Sequence, residues 1–442
     1  MKKLRILFII IAGLFFYSIL LSALTRNIYL NNDAGERWGF IAKPVKFMAE
    51  LPSLAKQSLK PGEFLVKNTE AIDGLVSEMN GVPEEYPRLL VSYKDEKFGQ
   101  KFELLDIKRN KTLKTWLPDN ELLFEKAYNE NNPEKPLKGS DLYFLHALLS
   151  PDSSLIFSSQ LTSLLVKINK DSEIEWLKND KRYHHSTEFD SVGDVYSCSR
   201  SFYSNEFEFL PQDYEDYKEV LMDDEITKID HKTGKTLFTK SVLKILVENG
   251  YEKLLLGKGQ FTSDPIHLND IQPALSDSEH WNKGDLLISC RNLSTVFLYR
   301  PDTNKILWLQ TGPWYNQHDV DFLDNDKIVV FGNDVIREES AIDPKITERN
   351  LFFSNKRPNN DVYIYNFEKD SVTTPYTRLM KKEGISTYTS GRSDILSNGD
   401  VFVEDTNNGR IIFGDSINKK IEYVKRIDDE HISSLFWSRL IY

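Results

Sequence analysis

Tyr183-His184-His185-Ser186-Thr187-Glu188-Phe189-Asp190, Ile266-His267-Leu268-Asn269-Asp270-Ile271 and Gln317-His318-Asp319-Val320-Asp321-Phe322 are three variations on one phrase. Each places histidine at the head of a strand-like run. Phe144-Leu145-His146-Ala147-Leu148-Leu149 is a weaker fourth, and together they hold five of the chain's eight histidines. Histidines at equivalent points of successive repeats converge only if the repeats close into a ring. The pattern predicts a β-propeller with an imidazole-lined mouth, and so chemistry on an anion or by nucleophilic transfer.

Outward from these heads the chain reads as short β-rich segments in sets of three. The sets are 88–93, 101–108 and 112–116; 155–159, 163–169 and 172–177; 194–198, 225–230 and 235–238; 285–289, 295–299 and 304–309; 327–331, 361–365 and 372–375; 400–404, 410–413 and 420–424. A unit runs head strand, Asn/Asp/Gly turn, buried strand, strand, polar turn, outer strand. Four antiparallel strands per unit make a propeller blade, and six units are expected. A pair of β-sandwiches is the other architecture, and it leaves the repeated heads unexplained. Long insertions at 200–224, 241–265 and 334–360 are expected to project from one face and wall a pocket.

The fold class is therefore all-β, with additions at the amino terminus. Lys2, Lys3 and Arg5 precede an apolar run at 6–24, which suits a membrane-spanning helix better than a signal-peptide core. Ser22-Ala23 keeps cleavage open. The basic front places the amino terminus in the cytoplasm and the body outside. Residues 1–25 are read as the anchor, 26–86 as a connector and 87–442 as the propeller. Pro44, Pro52 and Pro61 break the connector into short helical stretches. The segment 62–66 and the acidic residues after it read as a short helix or spacer.

The 442 residues carry a formal net charge of -11. An acidic chain is a poor partner for nucleic acid, where Lys and Arg must neutralise phosphate. If an anion binds, the positive charge must be local. Cys198 and Cys290 each follow a Gly-Asp pair and occupy similar places in two repeats. They read as a disulfide or as two buried thiols.

His184, His185, His267, His318 and Arg392 are heads in this alignment, and Arg291 ends the strand after a head. Arginine grips oxyanions through paired charged hydrogen bonds, and histidine donates, shuttles a proton or attacks. The bland readings stand beside these. His146 reads as a hydrogen-bonded blade residue, and His231, His280 and His431 as solvated surface groups. Arg392 could pair with Asp394 or Glu404. Three histidines could also hold zinc with an open fourth position. An adjacent arginine opposes that, and no metal is expected.

His184-His185, then 264–272, then 284–295 with Arg291, then Trp308, then Gln317-His318-Asp319 resemble, in that order, the arylsulfotransferase family. These are bacterial aryl-sulfate sulfotransferases that do not use the nucleotide sulfate donor. The likeness spans 140–415 and implies a six-bladed propeller facing the periplasm. It implies His318 as the nucleophile, and His267 and Arg291 as the groups that bind and polarise the sulfate oxygens, with Asn269 beside them. One of His184 and His185 falls on a further active-site histidine, with His185 the better fit. His184 and Arg392 are then expected at the substrate. The implied partners are an aryl sulfate, a phenol and the inner membrane, with no cofactor. Trp281, Trp314 and Tyr315 would stack a phenol or pack blades. The chain is short for the extra amino-terminal β-domain of some members, and its two cysteines are not closely spaced. A noncatalytic propeller binding an anion and an aryl sulfate hydrolase are the alternatives.

Overall fold

The structure is a computed structural model that describes residues 2–30, 45, 64–77, 86–95, 97, 99–127, 142–160, 162–201, 221–256, 262–335 and 360–442. Apolar runs decide its architecture. Leu155–Ser159, Leu286–Cys290 and Val401–Asp405 are buried along their whole length. That is the pattern of a strand covered on both faces, as when small sheets stack around an axis. Outer strands such as Ile174–Lys178 are only partly buried.

The stack is a six-bladed propeller. From the axis outward, blade two is Phe144–Leu149, Leu155–Ser159, Leu165–Ile168 and Ile174–Lys178. Blade three is Arg182–Phe189, Val195–Arg200, Asp224–Ile229 and Thr236–Ser241. Blade four is Leu268–Pro273, Leu286–Cys290, Thr295–Arg300 and Lys305–Thr311. Blade five is Asp319–Phe322, Lys327–Gly332, Asp361–Asn366 and Ser371–Thr373. Blade six is Arg392–Ile395, Val401–Asp405, Arg410–Gly414 and Lys419–Val424. An Asx turn joins the first two strands in four blades. Asp152, Asp190, Asp324 and Asn398 each accept a backbone N–H two residues on.

Blade one explains why the first sequence unit lacks a head. Its strands Arg88–Lys94, Gln100–Asp106 and Lys111–Trp116 receive their innermost partner, Arg439–Ile441, from the far end of the chain. Arg439 pairs with Leu90 and Ile441 with Arg88, antiparallel. This closes the ring and removes an open edge. Two buried charges lock the closure. Glu404 accepts the N–H groups of Trp437 and Ser438 at 2.9 and 2.5 Å. Arg439 forks onto both oxygens of Glu188 at 2.9 Å.

Neighbouring inner strands share no ladder, so their axial N–H groups need other acceptors. Side chains of the preceding blade supply them. Thr187 N donates to His146 Nδ1, Ile271 N to Ser186 Oγ, Val320 N to Asp270 Oδ2 and Ser393 N to Asp319 Oδ2, at 2.9 to 3.2 Å. His146 is thus a stitch between blades two and three.

The region expected to be a short helix or spacer forms two strands instead. Leu65–Lys67 pairs with His431–Ser433, and Gly74–Ser77 adds a fifth strand outside Lys419–Val424. Aliphatic pairs at Leu65-Val66 and Leu75-Val76 complete edges that would otherwise stay open. The propeller unit begins at Phe64. In the insertion at 241–265, helix Val242–Glu248 buries Val242, Leu243, Ile245 and Leu246 in the core shared with blade four, so this stretch packs rather than projects. The Pro-broken stretches of the connector, apart from Val45, and the insertions at 202–220 and 336–359 lie outside the described residues. Cys198 and Cys290 are both buried and free, and both sit on second strands, opposite His184 and Leu268.

Separately, Lys2–Leu30 is one helix whose segment Ile11–Ile28 is long and apolar enough to cross a membrane. A signal sequence has the same character.

Replacing Arg439 with Met would leave Glu188 buried without its counter-charge. The expected loss is about 3–5 kcal/mol of folding free energy, read from urea unfolding. A change below about 1 kcal/mol would show that the clasp does not hold the ring.

Candidate active site

A shared backbone device aims the heads. In every blade one residue at the inner strand takes the left-handed conformation, His146 and His185 at bulges within their strands and His267, Asn316, Ser390 and Trp437 one to three residues ahead of theirs, all with φ between 50° and 55°. Such a φ is uncommon without glycine, and for a bulky residue such as Trp437 it is an outlier. Strain of this kind costs about 1–3 kcal/mol and persists where the surroundings enforce it.

The structure brings the imidazoles together. The His185 ring lies 5.2 Å from His267 and 6.1 Å from His318. Trp437, carried in by the closing segment, lies 4.9, 6.2 and 6.4 Å from His146, His185 and His318. Of the histidine doublet, it is His185 that meets the others. The His184 ring packs at 5.0 Å against His185 and reaches toward Asp224. The register differs from the sequence alignment. His185 and His318 each stand one residue before a stitching residue, Ser186 or Asp319. His267 stands three before Asp270, and Asn269 holds the place of the other two.

Each histidine has a different anchor. His318 Nδ1 lies 2.7 Å from Asn333 Oδ1 and 3.2 Å from the Asn316 carbonyl. Both oxygens only accept, so Nδ1 carries the proton and Nε2 keeps its lone pair. Burial pushes this imidazole down to about 3, against the opposing pull of the Asn333 bond. His318 is therefore neutral at neutral pH.

His267 instead donates from Nδ1 to Asp264 Oδ2 at 2.5 Å. Burial would raise the Asp264 carboxyl, but His267 and Arg200 hold it below the ordinary range. Arg200 sits 2.9 Å from Asp224 and 3.4 Å from Asp264, tying the two carboxylates together. Asp224 likewise resists burial through Arg200 and His184 and stays low. His184 and His185 meet Nδ1 to Nδ1 at 2.8 Å. Burial, then the neighbouring His184, His267 and His318, push His185 well below its usual value.

Arg291 opens the turn after Leu286–Cys290, and its N–H donates to the His267 carbonyl. Its guanidinium makes no hydrogen bond or ion pair with the described residues, and Nε is buried without a partner. Asn269 gives Nδ2 to the Gln317 carbonyl and keeps Oδ1 buried and unfilled. Buried polar atoms without a partner are uncommon and call for an explanation. Among the described residues, no three His, Cys, Asp or Glu side chains are arranged to hold a metal.

Arg392 lies deeper and is spent on protein groups. It touches His146 Nε2 at 2.8 Å and faces Asp319 and Asp321 at 3.8 and 3.6 Å, rather than Asp394 or Glu404. Burial and mutual repulsion raise the acids around it. Asp319 is pushed up to about 6, Asp394 to about 7 and Asp321 to about 8, while Asp270 is also well raised. Trp281 packs against Phe322 and Phe367, and Trp314 is buried beside Tyr363. Both pack blades, while Tyr315 remains exposed.

Sequence reasoning missed Asn333, Trp437, Asp224 and Arg200. Asp264 was within the quoted motif, and its three-residue offset from His267 was the available signal. Trp437 carried none, because its nearness to histidine is made by ring closure, whereas Asn333 comes to His318 through the blade-five hairpin that pairs Asp319 with Phe331.

The fold and the mouth define a six-bladed propeller with a histidine-lined axial well. An arylsulfotransferase family model matches residues 146–426, well over half the chain, and the chain belongs to that family. No curated protein matches it. Solved structures resemble it only distantly. A protein of unknown function from Bacteroides caccae is 10% identical, with 75% of this chain and 90% of that one covered and a TM-score of 0.43. A virginiamycin B lyase from Staphylococcus aureus is 11% identical, covering 64% and 70%, with a TM-score of 0.35. Hydrazine synthase from Kuenenia stuttgartiensis is 7% identical, covering 77% and 80%, with a TM-score of 0.39. Nothing about function passes from these to this chain.

The two sets of shifts act on stability with opposite signs. A carboxyl raised on folding stabilises below its unfolded value and loses that contribution as pH rises through the folded value, for Asp321 from 3.8 through about 8. A histidine lowered on folding loses its contribution as pH falls, for His318 from 6.5 through about 3. Asp321→Asn is therefore expected to flatten the alkaline decline of the urea midpoint. An unchanged slope would mean that Asp321 titrates normally in the folded chain.

Proposed function

We propose that this protein moves a sulfuryl group from an aryl sulfate ester to a phenolic acceptor, through a covalent intermediate on His318 Nε2. The observation that carries the reading is the state of His318: neutral, with Nδ1–H committed to Asn333 and a lone pair left on Nε2. A nucleophilic imidazole needs that state.

In the first half, Nε2 attacks sulfur. The S–N bond forms while the bond from sulfur to the aryl oxygen breaks, and the phenolate leaves with the electron pair. Nδ1 keeps its proton on Asn333. Arg291, with an unfilled guanidinium, holds the sulfuryl oxygens, an electrostatic role of the oxyanion-hole type, while His267, its Nδ1–H on Asp264, keeps a lone pair on Nε2 for the second half. In the second half, the acceptor phenol gives its proton to His267 Nε2 and its oxygen attacks sulfur, releasing His318. Asp264, fixed on Nδ1, stabilises the imidazolium so formed. The proton then passes to solvent, where the first phenolate takes one up. Asn269 Oδ1 is an acceptor, which suits a phenol hydroxyl better than a sulfate oxygen. The amino-terminal helix, with Lys2, Lys3 and Arg5 before it, supports an inner-membrane anchor and a periplasmic propeller.

The full-length protein in detergent should release nitrophenol from 4-nitrophenyl sulfate only when phenol is supplied. Release without an acceptor would make it a hydrolase, and binding without release an anion-binding module. His318→Ala should abolish transfer, and a histidine carrying a sulfuryl group should be detected by mass spectrometry in the parent alone. Arg291→Met should lower kcat by about a hundred- to a thousand-fold. Full activity in either variant would sink the assignment.

A further inference from the structure

The histidines of the mouth are chemically identical, yet the fold gives them different neighbours. His267 has a carboxylate behind it, and His318 has an amide. We propose that Asn333 is the positioning residue of the nucleophile, holding His318 in the Nδ1–H tautomer so that the lone pair falls on Nε2. The inference rests on His318 as nucleophile and explains how that atom is selected.

The orientation of Asn333 follows from its other bonds. It is fully buried at the end of blade five, just beyond Lys327–Gly332. Its Nδ2 donates to the carbonyls of Ser390 at 2.8 Å and Thr387 at 3.3 Å. Carbonyls only accept, so the amide cannot be turned round, and Oδ1 must face His318. The main chain is also held, because Asn360 Nδ2 donates to the Asn333 carbonyl at 2.6 Å and to the Thr387 carbonyl at 2.8 Å. A free neutral imidazole prefers its proton on Nε2, the tautomer in which that nitrogen cannot attack. A fixed acceptor at Nδ1 reverses the preference, and of the two there Asn333 Oδ1 at 2.7 Å is the close one, against 3.2 Å for the Asn316 carbonyl.

The neutrality of the amide matters equally. A carboxylate at this place would favour the imidazolium, which has no lone pair. The titratable groups facing His318 are His185 and His267, whose protonation would oppose a charge on it. An amide fixes the proton without adding a charge that would draw in a second one. Asp264 does the opposite for His267, which has to take up a proton.

The test reads the tautomer directly. Full-length protein labelled with 15N-histidine is studied by solid-state NMR, with the His318 signals assigned by their loss in His318→Ala. The parent should show one tautomer, protonated at Nδ1. In Asn333→Ala it should become a mixture, with kcat lowered on the order of ten- to a hundred-fold and KM within about two-fold. Asn333→Asp keeps the acceptor and adds charge, so the acid limb of kcat/KM should move up by about one pH unit or more. Both variants also lose the bonds to residues 387 and 390. Asn360→Ala loosens the same loop without touching His318, and it should keep the single tautomer. A pure Nδ1–H tautomer surviving in Asn333→Ala, or an unmoved acid limb in Asn333→Asp, would overturn the proposal. If His318→Ala retained transfer, the nucleophile reading would fall, while the His318 signals in the other variants would still report on Asn333.

Discussion

Blade one has no inner strand until Arg439–Ile441 returns to Arg88–Leu90. Everything at the axis depends on that return. It brings Trp437 against three histidines and lays Arg439 on Glu188, across from blade one to blade three. Without it the ring would end in two open edges, and the inner strands would lose the neighbour that fixes their angle.

Between blades the order is kept by side chains rather than ladders. His146, Ser186, Asp270 and Asp319 each accept an N–H from the blade that follows. Two of these are carboxylates, and Asp319 faces Arg392 on the neighbouring blade. The same groups that join the sheets therefore set the field under the mouth. This explains why Arg392 is unavailable at the top although it heads an inner strand. Its charge offsets acids that the joints themselves require.

The propeller was legible because second and third strands are continuous apolar runs, a pattern that survives uneven spacing between heads. The missing head of blade one was not legible, since its pairing joins opposite ends of the chain. The mouth was half legible. Histidine heads mark which segments converge, but aligning them on histidine hides the two-residue offset between His267 and His318, which the frame of Asp270 and Asp319 reveals. Asp264 lay within the motif, whereas Asn333 reaches His318 across the blade-five hairpin, whose register sequence alone does not set. The strands at Leu65–Lys67 and Gly74–Ser77 were too short, and too far from their partners at the other end of the chain, to stand out from a spacer.

The belt of acids at Asp270, Asp319, Asp321 and Asp394 lies farther along the inner strands than the histidines, so it forms the floor of the well. Burial and mutual repulsion keep Asp270 and Asp321 protonated at neutral pH, so these two add no negative charge beneath the imidazoles. In alkaline solution they would ionise, and the repulsion would fall on the very joints that tie blade to blade, so the seam of the ring carries its own pH limit.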